Sequence, residues 1–187
     1  MSPELIERRQ VYAGYLRVER LRLLYPDGSI AVREVESHGE AVAVLPYDPA
    51  ARTAMFVRLF RAPALAEVEE ACAGMIDGED ADATARREAL EEMGLRIGEL
   101  EPVGRVWPSP GVSSERVTLF LASYAPADRV SGGGGLADEH ENITVLERDL
   151  RSLASQADAG LIADLKLLTL VQSLRARRPD LFTDPPA

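Results

Sequence analysis

The chain has 187 residues, 46% hydrophobic and 28% charged, which is ordinary for a folded domain and long enough to bury a core without staples. Its formal net charge of −10 would repel a phosphate backbone, so no nucleic acid is expected as a partner. A lone cysteine, Cys72, excludes an intrachain disulfide and fits a reducing compartment. The charged opening MSPELIERRQ lacks the apolar centre of a secretory signal. The apolar stretch from Leu161 to Leu174 is interrupted by Asp164 and Lys166 and is too short for a bilayer. A cytoplasmic protein with no membrane partner is expected.

Residues 11–25 alternate roughly and are rich in β-branched and aromatic types, which predicts one strand. Tyr25-Pro26-Asp27-Gly28 predicts a turn, and Ile30 to Val35 the returning strand of a hairpin or small sheet that ends at Gly39. Ala41 to Leu45 reads as a short buried strand, Pro46 to Pro49 as a turn, and Thr53 to Phe60 as a second central strand. Asp80 or Asp82 can cap a helix over Ala81 to Met93, with Gly94 as its left-handed stop. Leu100 to Trp107 and Val117 to Tyr124 are strand candidates around the loop Pro108-Ser109-Pro110-Gly111. The low-complexity run Gly132 to Gly135 leads into an acidic loop, Leu136 to Asn142, and a short strand follows over Ile143 to Leu146. Two helices complete the chain, about Arg148 to Ala157 and Leu161 to Arg177. The second is expected to turn Leu161, Leu165, Leu168 and Val171 to the core. Irregular mixing of strands and helices predicts an α+β class or a layered α/β/α arrangement. The expected organisation is a small sheet over residues 1–39, a main domain over 40–180 and a tail over 181–187.

The negative charge is local. Between Glu67 and Glu92 ten acids meet two bases, Arg86 and Arg87, a net of −8. On the predicted helix, Glu92 lies about 40° round from Glu88, and Glu91 about 60° round on the other side. Like charges at these spacings cost a few tenths of a kcal/mol per pair. A hard cation such as Mg²⁺ or Mn²⁺ would offset that cost, taking its other ligands from water and a substrate phosphate. Arg87, four residues before Glu91, can hold that side chain. Acid runs are usually solvated helix faces. The framing of this one points further.

The stretch Gly74 to Glu79, then Arg87-Glu88-Ala89-Leu90-Glu91-Glu92-Met93-Gly94-Leu95, resembles the Nudix box, G-x5-E-x7-R-E-U-x-E-E-x-G-U, with U aliphatic. Four residues, not five, separate Gly74 from Glu79. The resemblance runs from about Val11 to Leu174. It includes Val57 to Arg61, Glu70 to Ile76, Ser109-Pro110-Gly111 with Ser114-Glu115, and Gly135 to Ile143. These segments are similar to the ADP-ribose pyrophosphatase branch of that family and to the related GDP-mannose pyrophosphatases.

The resemblance implies an α/β/α sandwich with a small N-terminal β-sheet through which the chain forms a homodimer. It implies Mg²⁺ (or Mn²⁺) held by Glu88, Glu92 and the Ala73 carbonyl, with Glu91 as a ligand or water-orienting group steadied by Arg87. It makes Glu139 the general base and Glu141 a metal-contacting or substrate-contacting acid. It gives Arg61 and Glu115 contacts to substrate. The implied reaction cleaves the pyrophosphate of a nucleotide sugar, ADP-ribose first and GDP-mannose as the alternative. Two rivals are a non-catalytic nucleotide-sugar sensor and an acidic helix used for protein contacts. The retained box acids argue against the first, and the second acidic loop against the other. Cys72 is expected in the core, His140 toward solvent and Trp107 in packing.

Overall fold

The computed structural model describes residues 1–135 and 142–183, and these divide into two compact units. The first comprises Met1–Glu40 with Val106–Val117. Strands β1 (Glu4–Ala13), β2 (Arg17–Leu24) and β3 (Ile30–Ser37) form an antiparallel sheet in that order. The single strand expected over residues 11–25 is therefore two, reversing at Gly14 to Leu16, and β1 begins seven residues earlier than the pattern suggested. Register shifts between Leu5 and Glu7 and between Gln10 and Tyr12 explain why. Each inserts a residue, so the period-two alternation slips and the strand loses its signature. The expected turn at residues 25–28 forms, with Gly28 donating to the Tyr25 carbonyl at 2.9 Å. The Pro108–Gly111 loop belongs to this unit. Just beyond it, Ser114 N–H donates to the Glu36 carbonyl at 2.9 Å.

The second unit, Ala41–Arg105 with Thr118–Ala187, is built on a seven-stranded sheet. Strands β4 (Glu40–Asp48), β5 (Thr53–Arg61), β8 (Leu100–Val106), β9 (Arg116–Ser123) and β10 (Thr144–Asp149) run in the order β10-β5-β4-β9-β8. Strand β6 (Ala66–Glu70) pairs antiparallel with β5, and β7 (Cys72–Met75) with β4. The turn expected at Pro46 lies later, because β4 continues to Asp48. Pro46 falls between the stretch that pairs with β7, ending at Val44, and the stretch that pairs with β5, beginning at Tyr47. A residue without an N–H is tolerated there. The reversal follows Asp48, whose carboxylate accepts the Ala50 and Ala51 N–H groups at 2.7 and 3.0 Å.

Among the described residues, three α-helices belong to this unit: α1 (Ala81–Met93), α2 (Leu150–Asp158) and α3 (Leu165–Arg177). The α+β class holds. Asp149 caps α2. Helix α3 starts four residues later than expected because Asp164 is its cap, accepting the Leu167 N–H at 2.9 Å. Leu167, Leu170, Val171 and Leu174 face inward, Val171 as expected, while Leu168 is half-buried and Leu161 and Leu165, also expected in the core, are exposed. The core gathers Val42, Val44, Met55, Val57, Cys72, Ala85, Ala89, Met93 and Phe120. Among the described residues no helix is long and apolar enough to cross a membrane.

Candidate active site

Helix α1 starts where Asp80, in extended backbone, accepts the Ala83 N–H at 2.8 Å. It stops at Gly94, which takes φ 67°, a left-handed conformation open to glycine. Thr84, Ala85, Ala89 and Met93 form its buried face, and Glu92 belongs to that face at 6% exposure. The Glu88 and Glu91 side chains are 13% and 27% exposed. The acidic stripe is thus half sunk into the protein rather than laid on a solvated surface.

Arg87 gathers three of the acids. Its guanidinium lies 2.8 Å from Glu88 Oε1, 2.7 Å from Glu91 Oε2 and 3.4 Å from Glu79 Oε2. Partial burial pulls the Arg87 pKa down, but Glu88 and Glu91 outweigh it and raise it overall. The arginine therefore stays charged. The like-charge cost on this stripe is accordingly met in part within the chain, more widely than the Glu91 contact alone. The four-residue spacing from Gly74 still brings Glu79 to Arg87.

Strand β7 forms the floor. Ala73 pairs with Ala43 of β4, and Gly74 with Val42. A β-carbon on Gly74 would lie 1.9 Å from Glu88 Oε1. The Glu88 carboxylate therefore rests directly over backbone, in space that any side chain at position 74 would fill. Cys72, on the same strand, is buried as expected. Burial first, and then the charges of Glu92, Glu88 and Glu91, push its thiol pKa well up. A protonated thiol is a poor nucleophile.

Among the described residues, no three carboxylate, thiol or imidazole groups already converge as a closed coordination shell. Glu88 and Glu91 are turned to Arg87. The donor set nonetheless fits a hard divalent ion. Such ions keep several waters and need one or two carboxylates, and the seat over Gly74 with buried Glu92 beside it supplies oxygen donors only.

The other expected residues divide. Arg61, at the end of β5, makes a two-pronged pair with Glu70 at 2.7 and 3.0 Å. Glu115 stands in the Val106–Val117 segment of the first unit, its N–H donating to Ser113 Oγ at 3.1 Å. Glu139, His140 and Glu141 lie outside the described residues. The Arg116 guanidinium stacks over the Trp107 ring at 4.3 Å, a packing contact. One cluster escaped the sequence reading. Lys166 reaches Asp164 at 2.7 Å and Glu70 at 3.3 Å, and Asp164 accepts the Ala71 N–H at 3.2 Å. Its only signal was a charged pair inside an apolar stretch.

Comparison with known proteins supports the family resemblance. The NUDIX domain family matches residues 37–165. A GDP-mannose pyrophosphatase of Cronobacter sakazakii is 32% identical over 187 residues, covering 95% of this chain and 97% of that protein. One of Klebsiella pneumoniae is 34% identical over 168 residues, 86% of this chain and 84% of its own. A solved structure described as an ADP compounds hydrolase superposes with a TM-score of 0.80 over 96% of both chains, at 18% identity, which shows a common fold. The chain belongs to the Nudix family of hydrolases.

Proposed function

We propose that the protein hydrolyses the pyrophosphate bond of a nucleoside diphosphate sugar, releasing a nucleoside monophosphate and a sugar phosphate. The observation that carries this reading is the Glu88 carboxylate seated over the Gly74 backbone beside buried Glu92. Glu88, Glu92 and the Ala73 carbonyl would hold Mg²⁺, or Mn²⁺. Bound there, the ion would neutralise the diphosphate and lower the pKa of a water. Arg87 steadies Glu91, which would orient the attacking water. Glu139 would serve as general base for the attacking water, and Glu141 would contact metal or substrate. Arg61 and Glu115 contact the substrate, Arg61 with a guanidinium already aligned by Glu70.

ADP-ribose is the substrate that the sequence resemblance puts first. GDP-mannose is favoured by the names of the relatives at 32–34% identity. The exposed apolar residues of β1, Leu5, Ile6, Val11 and Tyr12, support a homodimer formed through the N-terminal sheet; a monomer in sedimentation equilibrium would discard it. The central test is a panel of nucleotide sugars with Mg²⁺, followed by phosphate release through an added phosphatase. Turnover of ADP-ribose, GDP-mannose or both is expected, and Glu139→Gln should slow it while leaving Mn²⁺ affinity intact. No turnover of any member overturns the reading.

A further inference from the structure

The last turn of a helix leaves four carbonyls without helical partners, and on α1 two of those belong to Glu91 and Glu92. The cap at Gly94 does not serve them. Gly94 N–H goes to the Leu90 carbonyl and Leu95 N–H to that of Ala89, both at 3.0 Å. The glycine run serves them instead. Gly134 N–H donates to the Glu92 carbonyl at 2.8 Å and Gly135 N–H to the Glu91 carbonyl at 3.2 Å. Just before them, Val130 N–H donates to the Gly94 carbonyl at 2.8 Å. Residues 130–135 thus lie as a strap across the C-terminal end of the box helix.

The close approach depends on glycine. Gly133, Gly134 and Gly135 take φ 68°, 120° and 75°, where other residues are strained. A β-carbon on Gly133 would stand 2.3 Å from the Glu92 carbonyl oxygen and 2.6 Å from the Met93 carbonyl carbon. Both are backbone atoms that cannot swing aside. Gly132 differs: nothing lies within 4 Å of a β-carbon there.

We propose that Gly133 is a positioning residue of the hydrolytic site, because its lack of a side chain lets the strap grip the carbonyls of Glu91 and Glu92 and so fix where their carboxylates stand. This rests on the reading of those acids as a divalent-cation site. Groups that orient metal ligands are worth about 10–100-fold in metal affinity or activity. Gly133→Ala should therefore weaken Mn²⁺ binding, read by electron paramagnetic resonance, by about tenfold or more. It should lower kcat with little change in KM. Gly132→Ala should match the parent in both. Folded Gly133→Ala with parental Mn²⁺ affinity and kcat overturns the proposal, as does a loss no larger than its unfolded fraction explains. Should Gly133→Ala fail to fold, amide hydrogen exchange of the parent decides. Mn²⁺ should slow exchange at the Gly134 and Gly135 amides, and unchanged exchange there overturns the proposal. A parent that binds no Mn²⁺ and turns over no substrate instead overturns the function on which the inference rests.

Discussion

Two acidic clusters in the second unit are built on opposite plans. In one, Glu69, Glu70 and Asp164 meet Arg148, Arg61 and Lys166. Arg148 pairs with Glu69 at 2.8 Å, Arg61 with Glu70 at 2.7 Å and Lys166 with Asp164 at 2.7 Å. Charges balance and the carboxylates are committed to their partners. In the other, Arg87 faces Glu79, Glu88 and Glu91 together while Glu92 is buried in the same helix face. Balance serves the fold. In the other cluster one guanidinium is shared by three acids, an excess of negative charge that a bound divalent ion would offset.

The comparison breaks most sharply at Glu92. Glu92→Gln removes charge from the unbalanced cluster. It should cut kcat by about 100-fold and weaken Mn²⁺ binding, while the melting midpoint holds or rises. A parental rate would remove Glu92 from the ligand set. The matching change in the balanced cluster, Glu70→Gln, should do the reverse to stability. Only the Glu70 end of these pairs is buried and Arg61 is half-exposed, so the loss should be about 1 kcal/mol, seen as a lower urea midpoint. A variant as stable as the parent would show that this network holds little of the fold.

The smallest effect is in acid. The hydrogen bonds from Arg148, aided by the charges of Arg148 and Arg58, outweigh burial and hold Glu69 below its ordinary carboxylate value of 4.5. A lowered folded-state pKa gives stability that is present above 4.5 and lost as pH falls below it. Arg148→Met should therefore flatten the fall of the melting midpoint between neutral pH and acid. A curve parallel to the parent's would assign the acid loss to other groups.

Much of the second cluster was legible in the sequence. Asp80 and Gly94 bracket α1 with ordinary capping chemistry, and the spacing of Glu88, Glu91 and Glu92 by itself sets them on a common face. The balanced cluster was not legible, because Glu70 and Lys166 lie 96 residues apart and no local pattern pairs them. Strand β1 was hidden by its bulges, and the start of α3 by apolar Leu161, which carries no mark of its exposure. The glycine run read as low complexity. Its grip on Glu91 and Glu92 lies in backbone amides, which composition does not record.

Asp164 ties the end of the chain to its middle. One carboxylate begins α3 and also receives the amide of Ala71, two residues before the carbonyl of Ala73. During synthesis this hydrogen bond cannot form until some ninety further residues have followed Ala71, although the strand itself already pairs with β4. A polypeptide cut short before α3 would retain every box residue and the β4 pairing of its floor, yet lack this second tie at Ala71.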